Sequence, residues 1–290
     1  MTVFLAGASS AASASFETAK EIPVQQGGRV KPFDSYARRT VKLVTGRDRW
    51  ESKPAYRVIL DLVTRRETIA SKKWIRVDIQ ELKHALGLPR LEEYYSLEQL
   101  TPSFEKLESI VREAKAKRDR DERPTLLDQK AELLYGRIAA VDGILSGEGA
   151  RFIPPAQGAV WSSGFGEKTA LRSQFSKVLE AYKNEDAALF EKEARSWIEQ
   201  TQKISHEVDL TKIKAEVFYL GFKPYGWSAF FYFLGFALLA WDRKRSFLRK
   251  LGFGAVCAAF FLHTLGLGFR VFILGRPPVS NMYESMIFMN

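Results

Sequence analysis

Cysteine is almost missing from this chain. The single Cys257 excludes an internal disulfide, a CxxC redox pair and a thiolate zinc site, and its apolar surroundings suit a small core or lipid-facing residue. Histidine is nearly as scarce. His84 and His206 stand in polar helical stretches with no second His, Cys or carboxylate at metal-ligand spacing, so both are expected at the surface. No nucleophile triad, phosphate-cradling glycine loop or metal-ligand cluster can be read from the chain, which removes the enzyme classes built on them. No Lys or Arg precedes residue 20. Residues 3–14 are apolar and small and end in Ala12-Ser13-Ala14, so they have the tail of a secretory signal without its basic start, and 1–20 reads as a truncated signal or leader.

Charge is plentiful but uneven. Lys and Arg number 44 against 34 Asp and Glu, a net charge of +10. The cations alternate with carboxylates along predicted helices and form no basic groove with interleaved aromatics, so no nucleic-acid partner is expected. Beyond Lys223 charge is confined to one cluster and isolated sites. With 290 residues, 46% of them hydrophobic, the chain can bury a core, and the break near Lys223 separates two environments.

Residues 225–241 carry no charge, are rich in Phe (Phe230, Phe231, Phe233, Phe236) and place Tyr225, Trp227 and Trp241 at the two ends, where amphipathic rings favour the headgroup region. Residues 251–269 form a second uncharged run, long enough at about 1.5 Å per residue to cross hydrocarbon about 30 Å thick. Between them, residues 242–250 hold Arg243, Lys244, Arg245, Arg249 and Lys250, and the positive-inside rule makes this short loop cytoplasmic. The sequence therefore predicts two complete spans, 225–241 and 251–274, then an extracytoplasmic loop at 275–285 and the start of a third span at 286–290. It places 21–222 outside the bacterial inner membrane, on the periplasmic or extracytoplasmic side, and makes the lipid bilayer a partner. A hairpin buried in a soluble core is the competing account, but a basic connector between two such runs is rare there.

The predicted fold class is mostly α: a helical extracytoplasmic domain followed by transmembrane helices. In residues 54–66, Ala55, Val58, Ile59, Leu62 and Val63 repeat at helical spacing behind Pro54. Residues 74–77 suit a short strand, and Asp78 with Glu81 suggests a capping box for a helix that Gly87 ends. Ser103 is placed to cap a helix carrying Leu107, Ile110, Val111 and Ala114. Residues 126–145 make a long helix with Leu127, Ala131, Leu134, Ile138, Val141 and Leu145 on one stripe. Residues 151–166 read as a loop, and 168–222 hold two or three further helices.

His263 stands apart, because an ionisable group within a membrane span marks a functional site by default. Two readings stay open. The imidazole is an axial ligand to haem iron, with Arg270 seven residues on pairing a propionate. Or it is a neutral group hydrogen-bonded to another helix, with Gly266 and Gly268 allowing close approach. After Gly275, a rigid Pro277-Pro278 turn is followed by Ser280, Asn281, Tyr283 and Glu284, a richer set than a connecting loop needs.

The string His263-Thr264-x-Gly266-Leu267 with Arg270, then Gly275-Arg276-x-Pro278-x-Ser280-Asn281-x-Tyr283-Glu284-Ser285, resembles the start of the membrane core of the cytochrome c assembly proteins of the CcsA and ResC type. Ile22-Pro23-Val24-Gln25, Gly28-Arg29-Val30-Lys31-Pro32-Phe33-Asp34-Ser35 and Ala37-Arg38 are similar to the opening of extended bacterial members, and Tyr94-Tyr95-Ser96-Leu97-Glu98 more weakly so. In physical terms, Gln26-Gly27-Gly28 can turn tightly and Asp34 or Ser35 can cap a helix toward Gly46.

What the resemblance implies is cytochrome c maturation: haem as cofactor, handled through the full-length protein, with apocytochrome c and other cytochrome c assembly subunits as partners. It assigns haem binding to His263 (with its iron) and Arg270, and motif roles to Arg276, Pro278, Ser280, Asn281, Tyr283 and Glu284, while no catalytic residue is expected. The family's tryptophan-rich segment and paired histidines would lie beyond Asn290, so this stretch alone is not expected to transfer haem. The competing function is a non-enzymatic membrane-anchored scaffold that docks a partner.

Overall fold

The computed structural model describes residues 16–155, 160–166, 169–241 and 246–276. The chain divides into two units, at Glu207 and Val208. Both are mostly helical.

The first unit starts with a 3-10 turn over Glu17–Glu21, then β1 (Pro23–Gln26) and β2 (Arg29–Pro32). These pair antiparallel from Pro23↔Pro32 to Gln26↔Arg29, and the two residues between them, Gly27 and Gly28, have φ of +60° and +74°. Positive φ at both central positions defines the type I′ hairpin turn, which glycine adopts without steric cost. The expected tight turn is therefore present. The expected cap is different: α1 (Phe33–Thr45) has Pro32 at its N-cap with no side-chain bond, and the buried Asp34 accepts from Arg38 at 2.8 Å instead. Gly46, at φ +74°, closes the helix.

A two-residue ladder, β3 (Arg49–Trp50) with β4 (Lys53–Pro54), leads into α2 (Ala55–Thr64), and the apolar residues predicted to line this helix are all buried. The strand expected at 74–77 is β5 (Ile75–Arg76), and it precedes α3 (Gln80–Leu86), whose C-cap is the left-handed Gly87. The capping box expected from Asp78 and Glu81 does not form: the N-cap is Ile79, and Asp78 turns to Arg76, Lys130 and Arg137. Three cations attract the carboxylate more strongly than one amide hydrogen.

β6 (Tyr94–Tyr95) pairs with β5, and α4 (Leu97–Leu100) follows with a full capping box of Ser96 and Gln99. Ser103 stands at the N-cap of α5 (Phe104–Asp119) but donates to the Leu100 carbonyl at 3.0 Å, so it does not cap by its side chain. In α6 (Leu126–Ser146) the middle of the predicted stripe, Ala131, Leu134, Ile138 and Val141, is buried while its ends, Leu127 and Leu145, are half-buried, and Thr125 with Asp128 forms a capping box. Asp128 also holds Lys117 at 3.0 Å, which ties α6 back to α5.

Residues 151–166, expected to be loop, contain β7 (Arg151–Ile153) and β8 (Ser162–Ser163). They complete a four-stranded antiparallel sheet in the order β2-β1-β7-β8. Strands of three and two residues show no periodicity, and their pairing depends on β1, more than a hundred residues away at Gln25↔Arg151. α7 (Ala170–Lys183) and α8 (Ala187–Ile204) complete the unit. The core is aromatic where sheet and helices meet: Phe152 stacks on Phe175 at 4.6 Å, and Phe33 and Trp197 extend the cluster. Phe16 is buried between Tyr182 and Phe190, with the Arg57 guanidinium 4.8 Å from its ring centre.

One polar node is buried among this carbon. Arg137, 5% exposed, donates to the Leu43 carbonyl at 2.8 Å and to the Arg76 carbonyl, and pairs with Asp78 at 3.3 Å. Burial by itself would raise the Asp78 pKa, but Arg137 and Lys130 outweigh it and hold the carboxyl below the usual aspartate value.

The second unit comprises α9 (Leu210–Phe222), α10 (Pro224–Trp241) and α11 (Ser246–Leu274). Among the described residues one helix, α11, is long and apolar enough to cross a membrane. α10 is also uncharged, but its 18 residues rise only about 27 Å, short of about 30 Å of hydrocarbon, and Pro, Tyr and Trp occupy its ends. Ser246–Lys250, expected in the basic loop, already belong to α11, whereas residues 242–245 lie outside the described ones. The expected third span at 286–290 also lies outside them.

Candidate functional site

The surroundings of His263 follow from how three helices meet. Lys223 takes the left-handed conformation, φ +51°, and its amide donates to the Tyr219 carbonyl at 3.0 Å, which ends α9. Pro224 then opens α10, where its missing N–H costs nothing. This corner brings Tyr225 to α11. A methyl group at Gly266 would stand 3.1 Å from the Tyr225 ring and 3.2 Å from Pro224, so glycine there lets the corner seat against the helix. Gly235 and Gly252 do the same farther along: a Cβ at Gly235 would approach the Gly252 carbonyl oxygen to 3.0 Å. Small residues at such crossings let helix backbones come close.

The His263 ring is met edge-on by Tyr225, centroids 5.4 Å apart, and by Tyr232 at 6.5 Å. The imidazole is otherwise exposed and makes no hydrogen bond among the described residues. Of the two readings of His263, the hydrogen-bonded one finds no partner here, although the close approach expected at Gly266 is realised. At Gly268 it is not, since nothing lies within 4 Å of its would-be Cβ.

Arg270 lies two turns further along α11, and seven residues bring it nearly back to the face of His263. It is exposed and close to Tyr219 of α9. Burial raises the Tyr219 phenol, the neighbouring Tyr225 adds to this, and the Arg270 charge opposes it. Phe269 packs between these elements, 5.7 Å from Phe218 and 6.3 Å from Tyr219. The site thus gathers one unbonded imidazole, three tyrosines and a guanidinium on the α9–α11 side of the unit.

Arg276 is exposed just past the end of α11, where Gly275 takes φ +65° as the predicted helix break requires. Pro278, Ser280, Asn281, Tyr283 and Glu284 lie outside the described residues. His84 and His206 are both at the surface, as expected, and Cys257 is exposed on α11. Among the described residues no group of three or more His, Cys, Asp or Glu could hold a metal ion. A haem iron asks less of the protein, because one axial imidazole suffices. The donor set here fits that demand: an imidazole with neither nitrogen bonded among the described residues, two tyrosine rings packed against it, and a cation near the same face.

The sequence singles out His263 and Arg270 but not Tyr225 and Tyr232, the rings that the structure places beside the imidazole. Their spacing of seven residues along α10 was the available signal, since it puts both on one face. No protein-family model matches the chain, and no curated protein matches it.

Proposed function

We propose that this chain takes part in cytochrome c maturation, as part of a multi-pass inner-membrane protein that exports or presents haem for attachment to apocytochrome c. The observation that carries the reading is the run from His263 to Ser285, whose motif resembles the membrane core of the cytochrome c assembly proteins, joined to an imidazole without a hydrogen-bond partner among the described residues, on a helix long enough to cross a bilayer. In this reading α10 is a second, shorter span. The basic stretch 242–250 then faces the cytoplasm, and the first unit lies on the extracytoplasmic side.

Haem, when bound, supplies the iron and the vinyl groups that become attached to the acceptor. The chain's own part is to hold and orient it. His263 would offer a nitrogen to the iron, Tyr225 and Tyr232 packed against the imidazole would limit its rotation, and Arg270 would offer charge-assisted hydrogen bonds to a carboxylate. Arg276, Pro278, Ser280, Asn281, Tyr283 and Glu284 belong to the same proposed motif.

The test is spectroscopic. Purified from haem-replete cells, the full-length protein is expected to carry haem, and His263→Ala is expected to shift its Soret and visible bands. An unchanged spectrum at full haem occupancy would remove His263 as a ligand, and a full-length protein without haem would remove the reading itself.

A further inference from the structure

The first unit carries an apolar groove of about 540 Å³ between α4, the start of α5 and the middle of α6. Its floor is made by Leu97, Leu100, Phe104, Tyr135, Ile138 and Ala139. Phe104 and Tyr135 stack with their rings 24° apart and centroids at 5.8 Å, and Tyr135 remains 37% exposed. Stacked rings with two side-chain torsions each lose little freedom on binding, which is why aromatic residues anchor interfaces so often.

The charged residues lining the groove are Glu105 and Asp142, both exposed and both acidic. Neither forms an ion pair among the described residues, and neither has a Lys or Arg three or four positions away on its own helix. Glu105, in the first turn of α5, is at least favoured by the helix dipole. Asp142 has no such local reason, since it lies near the C-terminal end of α6, where a carboxylate is disfavoured. Two uncompensated carboxylates beside an apolar floor are the more notable on a chain with a net charge of +10.

We infer that this groove docks a segment of a partner protein in which bulky apolar side chains alternate with Lys or Arg. The apolar side chains fill the space over Phe104 and Tyr135, and the cations meet Glu105 and Asp142. The charge pattern disfavours other occupants. An anionic lipid surface would repel the two carboxylates, and a twofold pair of copies meeting at this groove would bring the same carboxylates together. The inference does not depend on haem.

The test uses the full chain in zwitterionic nanodiscs and two labelled twelve-residue helical peptides, one of Leu and Lys and one of Leu and Glu, with empty nanodiscs as the baseline. The protein's overall charge would favour the Leu/Glu peptide, whereas the groove favours Leu/Lys. Fluorescence anisotropy is expected to show at least tenfold tighter binding of Leu/Lys, with hydrogen-exchange protection over residues 97–105 and 135–142. Ala139→Gln, at an exposed helix position, is expected to weaken that binding about tenfold by filling the groove. The double change Glu105→Lys and Asp142→Lys is expected to reverse the peptide preference. Equal binding of the two peptides, protection elsewhere, or indifference to both variants would overturn the proposal. So would sedimentation showing a dimer that Ala139→Gln dissociates, because the occupant would then be a second copy.

Discussion

The two units solve the same problem, placing large apolar side chains, in opposite ways. In the first, Trp74, Trp161, Trp197, Phe33, Phe175 and Phe190 are fully buried and charge covers the outside. In the second, Phe233, Phe236, Phe253, Phe260 and Phe261 are between 65% and 72% exposed, while most of the buried positions along α10 and α11 are small, namely Ser228, Gly235, Gly252, Ala255, Ala259 and Gly266, with Pro224 and Ile273 the larger ones. Water drives large apolar groups inward. Lipid does not distinguish them from the solvent, so helices there associate through small residues that permit close backbone contact. This inversion is the one that lipid around the second unit would produce.

The largest effect that would sharpen this contrast is expected at the buried polar node. Arg137→Ala leaves two carbonyls without their donor and takes from Asp78 one of its three cations, and disrupting a buried network in this way costs about 3–5 kcal/mol. Denaturant unfolding of the first unit, followed by tryptophan fluorescence, should show it. The pH dependence should change as well. Because the folded pKa of Asp78 is depressed, its contribution is present above the unfolded value and lost as pH falls through the folded one. Without Arg137, acid unfolding should begin at higher pH. An unchanged acid profile would mean that Lys130 and Arg76 suffice to hold the carboxylate.

A slightly smaller effect tests the solvent of the second unit directly. Phe260, 65% exposed, lies at the middle of the uncharged run 251–269. If lipid surrounds it, Phe260→Arg should cost about 2.5–3.5 kcal/mol of insertion free energy, measurable in a translocon insertion assay. If water surrounds it, the change should stay within about 0.5 kcal/mol, as for other surface substitutions, and the comparison would break.

The smallest effect concerns the helix crossing. A side chain at Gly235 meets the Gly252 carbonyl and the Val256 backbone, so Gly235→Val should force α10 and α11 apart at about 1–3 kcal/mol. Thermal melts in detergent should show the second unit weakened and the first unchanged. Equal loss in both units would contradict their independence.

Much of the fold was legible in residue patterns. The stripes of α2 and α6, the breaks at Gly46, Gly87 and Gly275, and the turn at Gly27-Gly28 all rest on interactions within a few residues of chain, which local spacing reports. The errors share a cause as well. β7 and β8 were invisible because short strands are defined by a distant partner, and the Asp78 capping box failed because Lys130 and Arg137, more than fifty positions away, compete for the carboxylate. At the candidate site the same division holds. His263 and Arg270 stood out by chemistry in an apolar run, whereas the tyrosines that touch the imidazole come from another helix and depend on the corner at Lys223.

By itself, the sequence determined that this chain is mostly helical and that its charge density falls sharply near Lys223, because hydrophobic periodicity and charge density are properties of the chain. Tertiary structure decided which polar groups meet. It turned Arg137 into the centre of a buried network, packed Tyr225 and Tyr232 against the His263 imidazole, and set two acidic side chains beside an apolar groove. Those outcomes depend on long-range packing geometry, and no local pattern encodes the distance between side chains that only folding brings together.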